Sequence, residues 1–252
     1  MIKTSRLPDS GSILVLLCVI GVWELTALSG LLSPVFLPPV ENAFAALAAL
    51  AGDGTLWTAI IGTTGRMLVG FAVATLVGCS LGILIGLSPH ARAYVEPSLE
   101  FLRPLPASAV IPAAILMLGL TKTMIIVVIA FGSLWPTLLA TVQGIKSVEP
   151  RLFEMARTME LSRREVIQTI VLPSALPDIF AGVRLGLTVS LILAVVTEMM
   201  SAEPGLGSII LQAARSFNSA DLFAGVIVLG GLGFAINMAM EEVQRRLMGW
   251  QD

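Results

Sequence analysis

Apolar residues in this chain come in long blocks, not along one face of a helix or at alternate positions of a strand. Six blocks stand out: 12–29, 56–87, 107–120, 123–144, 179–200 and 222–240. A helix that crosses a bilayer needs roughly 20 mainly apolar residues, and it is apolar on all sides because lipid cannot satisfy polar groups. The pattern therefore predicts an all-α membrane protein of about six transmembrane helices, forming a single domain over 1–252. The third block is short and proline-bounded. The sixth runs into a polar end, Glu241-Glu242-Val243-Gln244-Arg245-Arg246. Between the first two blocks, Leu37-Pro38-Pro39-Val40 opens a short helix over 43–51, which Gly52-Asp53-Gly54 stops. It is too short to cross and reads as interfacial.

Basic residues orient the spans. With both termini cytoplasmic, the inside segments hold Lys3 and Arg6; Arg92 and Arg103; Lys146, Arg151, Arg157, Arg163 and Arg164; and Arg245 and Arg246. The outside segments hold only Lys122 and Arg215, the asymmetry expected of a membrane protein. The N-terminal block reads as an uncleaved first span behind a short cytoplasmic tail, since no Ala-x-Ala-like site follows it.

Within the spans, Arg66, Arg184, Glu24 and Glu198 are ionisable, and such groups face protein or water rather than lipid. Arg184 is placed to snorkel to the cytoplasmic interface. Gly78, Gly82 and Gly86 recur at four-residue spacing, as do Gly182 and Gly186. That spacing predicts close helix packing, with a gating hinge as the sharper alternative.

Composition narrows the function. With 56% hydrophobic and 13% charged residues, a soluble globular domain is excluded. A net charge of −2, without basic runs interleaved with aromatics, excludes nucleic-acid binding. Cys18, Cys79 and the single His90 stand apart from other ligand-type residues, so no metal site is expected. No Gly-x-x-x-x-Gly-Lys-Ser/Thr occurs, so the chain carries no P-loop of its own.

The segment 145–178 is the largest polar interruption. Pro150 is suited to a helix start, and Leu152, Phe153, Ala156 and Met159 recur at helical spacing as an apolar face. Ser162 with Glu165 forms a capping box that starts a second short helix. Val166, Ile167, Ile170 and Val171 give that helix its own apolar face. Leu172-Pro173 is expected to end it, with Pro177-Asp178 restarting the chain as the fifth span.

Glu154-Met155-Ala156, followed at helical-hairpin distance by Ile170-Val171-Leu172-Pro173, resembles the cytoplasmic "EAA" loop of permease subunits of bacterial ABC importers. Two departures stand out in the loop. Met155 replaces an alanine, and Glu160 replaces the glycine of the turn. Further matches extend the resemblance over nearly the whole chain to the nitrate/sulfonate/taurine/bicarbonate branch. They are Leu37-Pro38-Pro39-Val40, Leu102-Arg103-Pro104-Leu105-Pro106, Thr197-Glu198-Met199, Gly205-Leu206-Gly207 and Leu247 to Trp250. Asn237 stands where that branch has aspartate.

The resemblance implies a type I importer permease (MetI-like) fold in a bacterial inner membrane, with no catalysis and no cofactor in this chain. It implies a second permease copy as a homodimer, and two ABC ATPase subunits that bind ATP and Mg. It also implies a periplasmic or lipid-anchored substrate-binding protein. Glu154, Met155, Ala156, Met159, Glu160, Ile170, Leu172 and Pro173 would couple to the ATPase. The solute would be a small anion such as a sulfonate, taurine, nitrate, bicarbonate or carboxylate. The alternatives are a thiamine-precursor pyrimidine or another neutral metabolite. Ser190, Thr197 and Glu198, in the most polar span, are candidates for the translocation path, with polar packing between helices as the competing reading. An ion-coupled secondary transporter would need a coupling carboxylate at mid-membrane, and Glu198 is its one candidate.

Overall fold

The computed structural model describes residues 10–102, 105–201 and 203–248. Lys3, Arg6, Arg103, Pro104 and Trp250, which entered the sequence reading, lie outside them. In chain order the helices are α1 (Ser10–Leu28), α2 (Val40–Gly52), α3 (Thr55–Leu87) and α4 (Pro89–Leu102). A 3-10 turn (Ala107–Val110) leads into α5 (Ile111–Leu118), followed by α6 (Lys122–Lys146), α7 (Pro150–Thr158) and α8 (Arg163–Val166). After a π segment (Ile167–Val171) come α9 (Leu172–Met200), α10 (Leu206–Arg215) and α11 (Ser219–Leu247).

Among the described residues, four helical rods are long and apolar enough to cross a membrane: Thr55–Leu87, Lys122–Lys146, Arg163–Met200 and Ser219–Leu247. The 19 residues of α1 reach about 28 Å at 1.5 Å per residue, close to a hydrocarbon core. The third expected span is corrected. Only Ala107–Leu118 is helical there, about 18 Å long, which is too short to cross alone. A return crossing is still required, because α3 and α6 lie side by side and parallel. Gly70 meets Ile129, Gly82 meets Thr141, and Gly86 meets Ile145. The return starts on α4, whose Val95 and Leu99 pack with Ile85, Leu138 and Val142 near one end of the bundle. It resumes at Ala107, level with Gly132 in mid-α6, and reaches the other end at Gly119.

Central α6 is clamped between α3 and an antiparallel α9, and glycines permit the contact. A Cβ on Gly82 would stand 2.6 Å from Thr141 Cβ, and one on Gly182 would stand 2.3 Å from Ala140 Cβ and 2.8 Å from Pro136 O. Close packing is thus the role of both glycine series. The core that results joins Met67 of α3, Met124 to Ile129 of α6, and Val171 to Ala194 of the α9 rod.

The expected helix end at Leu172-Pro173 is also corrected. The chain stays helical from Arg163 to Met200. Pro173 lacks an N–H and its ring crowds the carbonyl four residues back, Thr169, which lies within the wider π winding of Ile167–Val171. Local unwinding absorbs the proline, so the hairpin and the membrane span are one rod.

At the far end from α7, Glu24 of α1 accepts the Val40 N–H at 2.8 Å, and Trp23 donates to Pro38 O at 2.9 Å. Glu24 thereby supplies a cap that Pro39, ahead of α2, cannot supply itself. The intramembrane carboxylate of α1 is a structural group.

Candidate functional site: the polar hairpin and the buried ion pair

The hairpin is built by three local signals. Pro150 occupies the first turn of α7, where its missing N–H costs nothing. At the other end Leu161 N–H donates to Ala156 O at 3.0 Å, and Glu160 N–H to Arg157 O at 3.1 Å. These two bonds form a Schellman turn, whose pivot residue must be left-handed. Glu160 is that residue, with φ +52°. The glutamate therefore keeps the shape of a glycine-type turn and carries the local strain, about 1 kcal/mol. Ser162 then caps α8: its hydroxyl accepts the Glu165 N–H, and its own N–H donates to Glu165 Oε2 at 2.8 Å. The Ser162 side chain and N–H hold the Glu165 carboxyl below the ordinary glutamate range.

The apolar face of the hairpin divides in two. Ala156 is buried, and Leu152, Val166 and Ile170 pack onto the protein's own core. Ala156 thus sits inside the subunit, while Ile170 and Leu172 are half-buried. Met155 and Met159 point outward, 57% and 67% exposed, beside Glu154, Glu160 and Arg157. Phe153 and Pro173 are exposed as well. An exposed pair of methionines ringed by charges at a bundle end is an adaptable contact surface.

Near the opposite end the structure joins residues far apart in sequence. Arg66 Nη2 donates to Glu198 Oε1 at 2.5 Å, and its Nε donates to the same oxygen at 3.1 Å. Glu198 Oε2 accepts from Thr63 Oγ1 at 2.9 Å and from Gly207 N–H at 3.1 Å. The Leu206 N–H donates to Thr63 Oγ1 at 3.0 Å, and Arg66 Nη2 also donates to Pro204 O at 2.8 Å. Glu198 is thus a carboxylate cap on the N-terminus of α10, where the helix dipole favours negative charge. Lack of a side chain at Gly205 and Gly207 allows this: a Cβ there would stand 2.3 Å from Glu198 Oε2 and 2.2 Å from Val195 O respectively. Glu203 extends the network, 4.0 Å from Arg66 and 3.7 Å from Lys122.

For the three path candidates, this geometry fits the competing reading of polar packing between helices. Ser190, Thr197 and Glu198 are all fully buried within one subunit. Ser190 Oγ donates to Leu187 O at 2.6 Å, and Thr197 Oγ1 to Leu193 O at 2.6 Å. Their polarity is spent inside the helix bundle, so none of the three lines an open surface. Sequence reasoning singled out Arg66 and Glu198 separately and missed that they are partners. The signal available was charge complementarity, with both residues in the outer half of their spans. Arg184 does not snorkel alone: its Nε donates to Asn237 Oδ1 at 3.0 Å, and its Nη2 lies 3.5 Å from Glu241.

Comparison with known proteins agrees with this architecture. The model of the binding-protein-dependent transport system inner membrane component family matches residues 74–248. The taurine transport system permease protein of Escherichia coli is 33% identical, over 95% of this chain and 89% of that protein. A putative aliphatic sulfonates transport permease protein of Bacillus subtilis is 31% identical, over 93% and 85%. The fold is shared with a chain of the methionine ABC transporter MetNI in an inward-facing conformation. There the TM-score is 0.66 at 19% identity, covering 76% of this chain and 95% of that one. The chain belongs to the family of binding-protein-dependent transport system inner membrane components.

Proposed function

We propose that this chain is the permease subunit of an ATP-driven ABC importer for a small anionic solute of the sulfonate or taurine type. The observation that carries the reading is the α7–α8 hairpin. It presents Met155 and Met159 outward at one bundle end, while its inner face is anchored in the membrane core. In this reading two permease copies form the path and each hairpin docks on an ATPase subunit, which binds ATP and Mg. A substrate-binding protein delivers solute at the opposite face. The chain lies in a bacterial inner membrane with the hairpin and both termini cytoplasmic, as the basic-residue asymmetry supports.

The rod Arg163–Met200 gives coupling a physical route. It is 38 residues long, about 57 Å, and joins the hairpin to Glu198 without a break. Movement of the hairpin therefore moves the element that holds α3 and α10 at the opposite end. Glu198 is no support for an ion-coupled transporter, because Arg66 neutralises it and its oxygens are occupied. Relatives named for taurine and aliphatic sulfonates support the solute class.

The test is affinity purification of the full chain from its own membranes, followed by ATPase assay in proteoliposomes. The expected result is a co-purifying ATPase whose turnover rises with a solute-loaded binding protein. Purification without any ATPase overturns the reading.

A further inference from the structure

The return crossing sets non-helical backbone at membrane depth. A Cβ on Gly132 would stand 2.7 Å from Ala107 Cβ, and Gly132 lies ten residues along α6 from Lys122, about 15 Å. Leu105 and Pro106 come just before Ala107 and belong to no helix. Pro106 has no N–H to donate, and its ring disfavours helical geometry at Leu105. Both residues are exposed, as are Ser108 and Ala109 on the next turn.

Polar groups of this turn lack partners. The Leu105 N–H donates to Leu102 O at 3.1 Å, and the Ala109 N–H to Pro106 O at 2.9 Å. Among the described residues, the Leu105 carbonyl accepts no backbone hydrogen bond, and the N–H groups of Ala107 and Ser108 donate none. The Ser108 hydroxyl has no partner there either. Hydrocarbon offers neither donor nor acceptor, so such backbone at membrane depth faces protein or a water-filled space. The subunit's own core covers only the opposite side of the crossing, through Ile111 and Ala114. A dry seam against a second copy would have to match a carbonyl, two N–H groups and a hydroxyl one by one, whereas water satisfies all four.

We propose that the turn 105–109 is a stretch of the wall of the water-filled translocation path, with Ser108 in contact with that water. This deepens the permease reading and rests on it for calling the water a path. Pro106 then has a role beyond packing: it keeps backbone groups free where a continuous helix would pair them internally. The exposed side continues at helical spacing through Pro112 to Leu116 and Met117. The crossing therefore runs from a polar turn at mid-depth to an apolar lip at the end opposite the hairpin.

The test is thiol labelling of Ser108→Cys and, separately, Ala109→Cys in the full chain lacking Cys18 and Cys79. Inside-out membrane vesicles carry the chain with its ATPase, and the probe is the membrane-impermeant reagent 2-sulfonatoethyl methanethiosulfonate. Methanethiosulfonates react with the thiolate, which forms in water and not in hydrocarbon. Val73→Cys is the comparison, because Val73 is exposed on α3 at the same level, between the Gly70 and Gly78 contacts with α6. The expected rate for Ser108→Cys is at least tenfold that for Val73→Cys, and it changes at least fivefold when ATP, Mg and vanadate are added. If neither Ser108→Cys nor Ala109→Cys is labelled faster than Val73→Cys, the turn is covered and the proposal falls. Fast labelling that ignores ATP and vanadate, in vesicles with active ATPase, also overturns it, because the water is then no gated path. Fast labelling of a chain that recruits no ATPase would leave the turn wet and remove the importer reading. An active ATPase complex without fast labelling would do the reverse.

Discussion

Arg66 and Glu198 stand 132 positions apart, and their side chains meet in a buried, two-pronged ion pair near the end of the bundle opposite the hairpin. Thr63 and the first turn of α10 complete the carboxylate's shell. One carboxylate therefore ties α3, α9 and α10 together. It sits at the far end of the same rod that carries the hairpin.

Removing one partner leaves a buried charge without its counterion. Arg66→Met or Glu198→Met alone is expected to cost about 3–5 kcal/mol, while the double substitution costs clearly less than the sum. Denaturant unfolding of the four proteins in detergent checks this as a double-mutant cycle. Additive losses would show that the pair is not a coupled unit.

On the hairpin, the exposed and buried apolar residues should behave differently. Met155→Asp and Met159→Asp are expected to leave the permease folded and inserted but to reduce ATPase co-purification at least tenfold, about 1.4 kcal/mol of binding. Ala156→Asp places a charge in the core and is expected to lower expression and stability instead. Quantified pull-down beside size-exclusion profiles distinguishes the two. Intact recruitment by the Met155→Asp, Met159→Asp double variant would remove this face from the docking surface.

The turn at Glu160 has the opposite sign. Glycine relieves the left-handed strain at φ +52° but adds freedom to the unfolded chain. Glu160→Gly is therefore expected to be neutral or stabilising by less than about 1 kcal/mol. Thermal unfolding in detergent measures it. A clear loss of stability would mean that the glutamate makes a favourable contact outside the subunit or within the hairpin.

Gly182 tests the packing role. Alanine there would place a Cβ 2.3 Å from Ala140 Cβ and 2.8 Å from Pro136 O, and the latter is backbone that cannot rotate away. Gly182→Ala is expected to cost about 1–3 kcal/mol, and Gly182→Ala with Ala140→Gly to recover part of it. Unfolding midpoints of the single and double variants report this. A silent Gly182→Ala would mean that α6 and α9 separate at that level at little cost.

Apolar blocks, basic asymmetry and the local signals of Pro150, Ser162 and Glu165 determined the helical membrane class and the hairpin from sequence alone. Each of those features acts within a few residues or through bulk solvent, so linear order carries it. The departure at Glu160 was legible too, but that it is left-handed came from the structure. Three outcomes required the tertiary structure. The broken third crossing follows from α3 and α6 lying parallel, and the unbroken rod through Pro173 follows from a π winding whose Ile170 and Val171 pack on the core. The roles of Ser190, Thr197 and Glu198 changed most. A polar residue in an apolar span looks the same in sequence whether it faces an aqueous path or a partner side chain. Only the meeting of Arg66, Thr63 and Gly207 around Glu198 decided between them, because burying a charge is tolerable only where the fold supplies the opposite charge and the donors.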